Sequence, residues 1–291
     1  MRYSCLHTHT YFCDGHGGIE EFCETAYKKN FVSLGFSAHA PVSKKTGLST
    51  NWHLKDERLD EYCREVRAAR ERWHGKLDVY LGLEVDYIED GGTCILSADD
   101  FRNSGQGLNY FDYLIGSVHY VTPRRCVDCP PDEFENLIRE DFGGDAMALA
   151  DAYWDRMERM IAKGGFDIIA HADIIKKNNK NDKWFSTKDE HYLKRIDRIA
   201  SIIAESGLVT EVNTGGLNRG VTTEPYPSQR LLRALQKKNA PVMINADAHK
   251  PEHLGGFYNE ARAFLLEAGF KHISLFEGRV NGKALWKTDP L

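Results

Sequence analysis

Six histidines and three carboxylates recur at one kind of position along this chain, and that recurrence limits the folds open to it. His7-Thr8-His9 follows a short N-terminal run that reads as a strand, and Asp14 comes soon after. His39, Glu84, His119, His171 and the pair Asp247-Ala248-His249 each close a further strand-like segment. Imidazoles and carboxylates are the ligands that borderline transition metals prefer. Nine such groups exceed what one ion takes and suit a cluster of two or three. His-x-His on a strand end sends both rings to one side, because side chains repeat every two residues. Asp247 and His249 are spaced for the same geometry. The pattern points to metal-dependent hydrolysis.

Between these positions short strand-like runs alternate with amphipathic helical ones. Strands are expected at 3–6, 31–37, 77–85, 110–118, 166–170, 208–213 and 242–246, with a last short one at 272–276. Helices are expected at 19–30, 56–74, 146–163, 188–206, 228–238 and 257–268. Gly164-Gly165 and Gly207 read as helix stops, and Ser228 as an N-cap. Repeated strand–helix units argue for parallel strands joined by right-handed crossovers. An open sheet would spread the ligand positions along a line. A closed barrel gathers the C-terminal ends of its strands on one face, so an α/β barrel of about seven strands is expected. No Pro/Gly/Ser-rich linker splits the chain, and residues 1–291 read as a single catalytic domain. The long loops 41–54, 90–109, 122–144 and 176–188 fall mostly on the ligand face and are expected to build a pocket.

Composition removes several other classes. Apolar residues make up 42% and charged residues 28%, as in ordinary soluble proteins. The formal charge is −5 with no face-long Lys/Arg run, so no nucleic-acid partner is expected. No apolar run approaches the roughly 18 residues a membrane helix needs. The first ten residues lack a basic-then-apolar leader pattern, and cleavage there would remove His7 and His9. Seven scattered cysteines read as reduced thiols, so a cytoplasmic location is expected. Cys126-Val127-Asp128-Cys129 is a lone CxxC without a second pair to complete a zinc ribbon, and reads as two loop cysteines.

Four motifs carry a family resemblance. His7-Thr8-His9-Thr10 with Asp14, Phe36-Ser37-Ala38-His39-Ala40-Pro41, Gly116-Ser117-Val118-His119 and Asn245-Ala246-Asp247-Ala248-His249 resemble, in order, the motifs of the PHP (polymerase and histidinol phosphatase) superfamily. Gly82-Leu83-Glu84-Val85-Asp86-Tyr87 and Ala170-His171-Ala172-Asp173 supply the remaining ligands. The first of these runs and Glu211-Val212-Asn213-Thr214-Gly215-Gly216-Leu217 are similar to the histidinol-phosphatase branch. The resemblance implies a distorted, TIM-barrel-like (β/α)7 barrel with a cluster of three divalent ions, zinc, iron or manganese, at the C-terminal ends of the strands. It implies His7, His9, Glu84 and Asp247 for one ion, bridging Glu84 with His119 and His171 for a second, and Asp14, His39 and His249 for a third.

The activity so implied is hydrolysis of a small-molecule phosphate monoester, foremost L-histidinol phosphate in histidine biosynthesis. The expected step is in-line attack by a hydroxide bridging two metals. Three divalent ions set against Asp14, Glu84 and Asp247 leave a positive centre suited to a phosphate dianion. Glu84, Asp247 and His249 are the expected catalytic groups. Arg219, His16 and Asn213 are the expected substrate contacts, and Arg156, Arg124-Arg125 and Lys176-Lys177 are further cations to consider. Glu224 or Asp173 could receive an ammonium. His53, His74, His191, His253 and His272 read as surface or packing residues. The rival readings are a PHP phosphoesterase for nucleotides or phosphoproteins, a non-catalytic metal-binding domain, and an amidohydrolase. The last of these lacks a bridging lysine at the middle strands.

Overall fold

Seven parallel strands form the frame in a computed structural model that describes residues 1–102 and 110–291. The barrel strands are β1 (Tyr3–Cys5), β2 (Phe31–Phe36), β3 (Asp78–Asp86), β4 (Tyr113–Ser117), β5 (Ile168–Ile169), β6 (Val209–Asn213) and β7 (Val242–Asn245). They pair in that order, each parallel to the next. Val79, Leu81, Leu83 and Val85 of β3 are all buried, and so are the residues between Leu81 and Val85, as expected of a strand covered on both faces. Helices Ile19–Lys28, Leu59–Trp73, Ala146–Lys163, Glu190–Ser206, Gln229–Lys237 and Tyr258–Ala268 follow the expected segments to within a few residues. Gly164 and Gly207 end their helices at φ 75° and 70°. Ser228 sits at its helix start but caps nothing with its side chain; its backbone N–H donates to Asp173 instead.

The ring is drawn together at the end that carries the histidines. A parallel bridge joins Thr8 to Ala248, with His9 N donating to Ala248 O at 2.9 Å and Ala248 N to His7 O at 3.1 Å. Deeper in the seam the Tyr258 hydroxyl lies within reach of Ser4 O and Ile244 O, at 2.9 and 3.4 Å. The barrel interior holds Leu6, Tyr113, Ile115, Ile168, Val209 and Met243. Tyr113 reaches across it, donating to Leu6 O at 2.5 Å and lying 3.1 Å from Phe36 O. Gly35 and Gly82 make room for that ring, since a Cβ on either would stand 2.4 Å from a Tyr113 atom.

The structure adds elements that the sequence reading leaves as loops. The expected terminal strand is one arm of an antiparallel hairpin, His272–Val280 with Lys283–Pro290. Its turn is Asn281-Gly282, both at positive φ, the dipeptide that favours a tight hairpin. Phe276 and Trp286 of the hairpin pack on the interior cluster beside Tyr80 and Tyr113. Arg279 pairs with Asp167 and donates to Asp112 O, both at strand starts, so the hairpin closes the mouth opposite the histidines. The loop expected at 122–144 contains the helix Pro131–Asp141, which buries Phe134, Leu137 and Ile138 behind a proline at its first position. A small hairpin, Ile88–Asp90 with Thr93–Leu96, opens the loop expected at 90–109. The end of that loop, 103–109, lies outside the described residues. No helix among the described residues is long and apolar enough to cross a membrane.

Candidate metal centre

All nine expected ligands converge at the C-terminal ends of the strands, around Glu84. Glu84 emerges from β3, is almost fully buried, and turns its two oxygens to different partners. Oε1 lies 3.0 Å from His171 Nε2 and 3.8 Å from His119 Nε2. Oε2 lies 3.1 Å from His7 Nε2, 3.5 Å from His9 Nε2 and 3.0 Å from His39 Nδ1. Asp247 Oδ1 faces His9 Nε2 at 3.4 Å and His7 Nε2 at 3.7 Å. On the outer side, Asp14 meets His249 Nε2 at 3.2 Å and His9 and His39 at 3.8 Å each. Four overlapping sets have ligand atoms within 4.8 Å of one another: His9-Asp14-His39-His249, His7-Glu84-His171, His7-His9-Asp247 and His39-Glu84-His119.

Many of these contacts are close without being hydrogen bonds. His9 Nε2, His39 Nδ1 and Asp14 Oδ1 are buried and have no hydrogen-bond partner. Buried polar atoms of that kind are costly unless something else satisfies them. Donors that converge on common points rather than on each other fit bound cations, and a mixed imidazole–carboxylate set fits zinc, iron or manganese. The electrostatics agree. Burial alone would raise the Glu84 pKa, but His39 and His7 outweigh it and hold the carboxyl well below its ordinary range. Burial, with His249 and His39 nearby, lowers the His9 pKa to about 3, leaving its ring neutral and free to donate a lone pair.

A family model, PHP domain, matches residues 6–215. The chain belongs to the PHP domain family. A Deinococcus radiodurans protein named "Probable histidinol-phosphatase" is 31% identical over 271 residues, covering 92% of this chain and 94% of that protein. A crystal structure from Listeria monocytogenes superposes with a TM-score of 0.76 at 20% identity, over 88% of this chain and 99% of that one. The Lactococcus lactis histidinol phosphate phosphatase, solved with zinc, L-histidinol and phosphate, superposes with a TM-score of 0.67 at 16% identity, over 97% and 98%. These likenesses put the chain in the histidinol-phosphatase branch of the PHP superfamily. Asp247 and His249 lie beyond the matched stretch, and β7 delivers them to the same centre. Asp247 adopts φ 46°, so the pair is not a simple strand alternation like His7 and His9. Gly215 lets that turn come close: a Cβ there would stand 2.6 Å from Asp247 Oδ2.

Behind the candidate ligands stands a layer that the sequence reading did not assign. Glu211 is fully buried on β6 and accepts from His7 Nδ1 at 2.9 Å, from His171 N at 2.8 Å, from Asn213 at 2.7 Å and from Asn245 at 2.9 Å. Asp86 accepts from His119 Nδ1 at 2.9 Å and from His53 Nε2 at 3.0 Å. Each carboxylate binds one ring nitrogen and aims the other at Glu84, the usual way a ligating imidazole is fixed. Burial lowers the His119 pKa, but Asp86 more than reverses this and lifts it to about 9. His53 is thus a buried partner of Asp86 rather than a surface residue. Asp86 follows Glu84 by two residues and Glu211 precedes Asn213 by two, so strand periodicity was the available signal.

A cavity of about 590 Å³ opens above the centre, lined by seven of the nine expected ligands together with Arg219, Trp52, Asp128 and Glu133 among others. Arg219 bonds Asp247 Oδ2 at 3.2 Å. Burial lowers its pKa, but Asp247 outweighs this and keeps it above its ordinary value. Several expected contacts stand elsewhere. His16 is exposed at the rim, its N–H donating to His249 O. Asn213 is fully buried and braces Glu211 while accepting from Gly215 N, beneath the cavity rather than in it. Arg156 pairs with Glu89 and donates to Val121 O, and Arg125 pairs with Glu140 and Asp141. Lys176 holds Glu224 at 2.7 Å in a neighbouring cavity, Lys177 holds Asp128, and Asp173 is buried against Ser228 N.

Proposed function

We propose that this chain is a metal-dependent histidinol-phosphate phosphatase, releasing L-histidinol and phosphate in histidine biosynthesis. The observation that carries the reading is the two-sided environment of Glu84, which offers Oε1 to His119 and His171 and Oε2 to His7, His9 and His39. That is the arrangement asked of a bridging carboxylate. The reading assigns His7, His9, Glu84 and Asp247 to one ion, Glu84, His119 and His171 to a second, and Asp14, His39 and His249 to a third. The curated relative's name and the ligands of the Lactococcus lactis structure support the choice of ester.

Divalent ions held there supply Lewis-acid stabilisation of the phosphoryl oxygens and a water acidic enough to act as nucleophile at neutral pH. The chain's own groups do the positioning. By accepting from Nδ1, Glu211 and Asp86 orient the rings of His7 and His119 with Nε2 toward Glu84. Arg219 keeps a guanidinium on the cavity wall beside Asp247, where a phosphate dianion meets a second cation and an in-line ester is fixed in register. The test is phosphate release from L-histidinol phosphate, AMP and p-nitrophenyl phosphate, with Mn²⁺ or Zn²⁺ and with chelator. Preference for L-histidinol phosphate, lost on chelation, is expected. Metal-dependent turnover favouring AMP would move the function to another phosphoesterase, and no turnover with any metal would remove the enzymatic reading.

A further inference from the structure

The rings of the metal centre differ in what stands behind them. His7 and His119 each have Nδ1 on a carboxylate, Glu211 and Asp86, and turn Nε2 to Glu84. An acceptor on one ring nitrogen favours hydrogen there and a bare lone pair on the other. His249 meets a donor and an acceptor at the same nitrogen. Its Nδ1 lies 3.1 Å from Arg219 Nη1 and 3.1 Å from Asp247 O, with Asp247 Oδ1 at 3.4 Å. A guanidinium only donates and a carbonyl only accepts. Nε2 of the same ring faces Asp14 at 3.2 Å, within the outer set His9-Asp14-His39-His249.

The two partners of Nδ1 ask for opposite forms of the ring. A neutral imidazole carries one hydrogen. With it on Nε2, Nδ1 accepts from Arg219, Nε2 donates to Asp14, and no lone pair is left for an ion. With it on Nδ1, that nitrogen donates to Asp247 O, Nε2 is bare, and one N–H of Arg219 loses its acceptor. The ring itself is held in place for either form. It stacks on His9 at 4.3 Å and 25°, and His16 N donates to His249 O at 2.6 Å. The left-handed φ of Asp247, 46°, brings its carbonyl against the ring two residues on. Arg219 stays anchored through Nη2 on Asp247 Oδ2 at 3.2 Å and lines the cavity above. A guanidinium N–H released at that wall suits a phosphate oxygen.

We infer that His249 and Arg219 couple the outer ion to the phosphate: ligation through His249 Nε2 requires hydrogen on Nδ1, which takes Asp247 O and turns Arg219 Nη1 from the ring to the cavity. The ring gives up its Nε2 hydrogen to solvent and takes one on Nδ1, so its charge does not change. By linkage, phosphate then tightens the outer ion as much as the outer ion tightens phosphate. This rests on the metal-centre and phosphate-ester reading above and adds an order to it, in which filling the outer set readies the cavity wall. Arg219 acts on the ion through His249 and is in that respect a positioning residue.

The test reads zinc binding and the ring, not turnover. Protein labelled with ¹⁵N-histidine is titrated with zinc and followed by NMR, the His249 signal being assigned by its loss in His249→Gln. Zinc affinity is measured in parallel against a chromogenic chelator, with and without inorganic phosphate. Nδ1 of His249 is expected to lack hydrogen in the zinc-free protein and to bear it at full loading. Phosphate is expected to tighten the most weakly held zinc about tenfold. Arg219→Lys keeps the charge but not the planar fork, so the phosphate effect should fall below about twofold. Hydrogen on Nδ1 at both ends of the titration overturns the inference. A phosphate effect that Arg219→Lys retains in full also overturns it, since charge alone would then account for it. Zinc binding with no phosphate effect removes the inference and leaves the metal centre standing, whereas no zinc binding removes both.

Discussion

At the level of single side chains, Glu84 stands at the middle of the histidine cluster. Its two oxygens face imidazoles from five different positions, His119 and His171 on one side and His7, His9 and His39 on the other, so replacing one oxygen by an amide nitrogen affects more than one of the overlapping sets. Glu84→Gln is expected to abolish phosphatase activity and to lower metal content by more than one ion per chain. Unchanged turnover and full metal content, read by elemental analysis, would falsify the bridging assignment. Asp86 acts one step away. Its loss leaves the ligands in place but frees the His119 ring to turn, since Nδ1 loses its acceptor. Asp86→Asn is expected to weaken metal binding about 10–100-fold, in line with other orienting partners of ligating histidines. Activity should recover when metal is supplied in excess. A variant that stays inactive at saturating metal would mean that Asp86 does more than position His119. The converging histidines and carboxylates were legible in the sequence because nearly all are chemically distinctive residues at strand ends. Glu211, Asp86 and His53 were not, because a second carboxylate or histidine in a strand has no signature until its partner is known.

At the level of elements, close approach of backbones decides what the barrel can hold. Tyr113 crosses the interior, and β2 and β3 give way to it through Gly35 and Gly82. A methyl group at Gly82 would meet the ring of Tyr113 at 2.4 Å, and a ring hydrogen-bonded to Leu6 O has nowhere to go. Gly82→Ala is therefore expected to cost about 1–3 kcal/mol, visible as a lower thermal midpoint. A midpoint equal to the parent's would show that the ring can shift. Helix positions and most strands followed from periodicity and from Gly164 and Gly207. The helix Pro131–Asp141 was readable from Phe134, Leu137 and Ile138 but was hidden inside a polar stretch. Ser228 shows the limit of local signals: it sits at the cap position, yet Asp173, distant in sequence, takes its N–H.

Across the whole molecule the two ends of the barrel divide the labour. The histidine end carries the ligands and the cavities, and the opposite end is sealed by the C-terminal hairpin through Phe276 and Trp286. Phe276→Ala is expected to destabilise by about 3–5 kcal/mol through the cavity it leaves. Metal-dependent turnover of the folded protein, measured well below its midpoint, should be unchanged. Loss of activity without loss of stability would mean that the hairpin reaches the centre. The sequence by itself determined the parallel strand–helix alternation and which histidines and carboxylates stand at strand ends, because both are set by local spacing and residue chemistry. Only the tertiary structure decided how those ends meet. The Thr8–Ala248 bridge that draws β1 to β7, the double-sided exposure of Glu84 and the bracing of His7 by Glu211 all join residues far apart in the chain. Such pairings exist once barrel closure brings them together, and local periodicity carries no record of them.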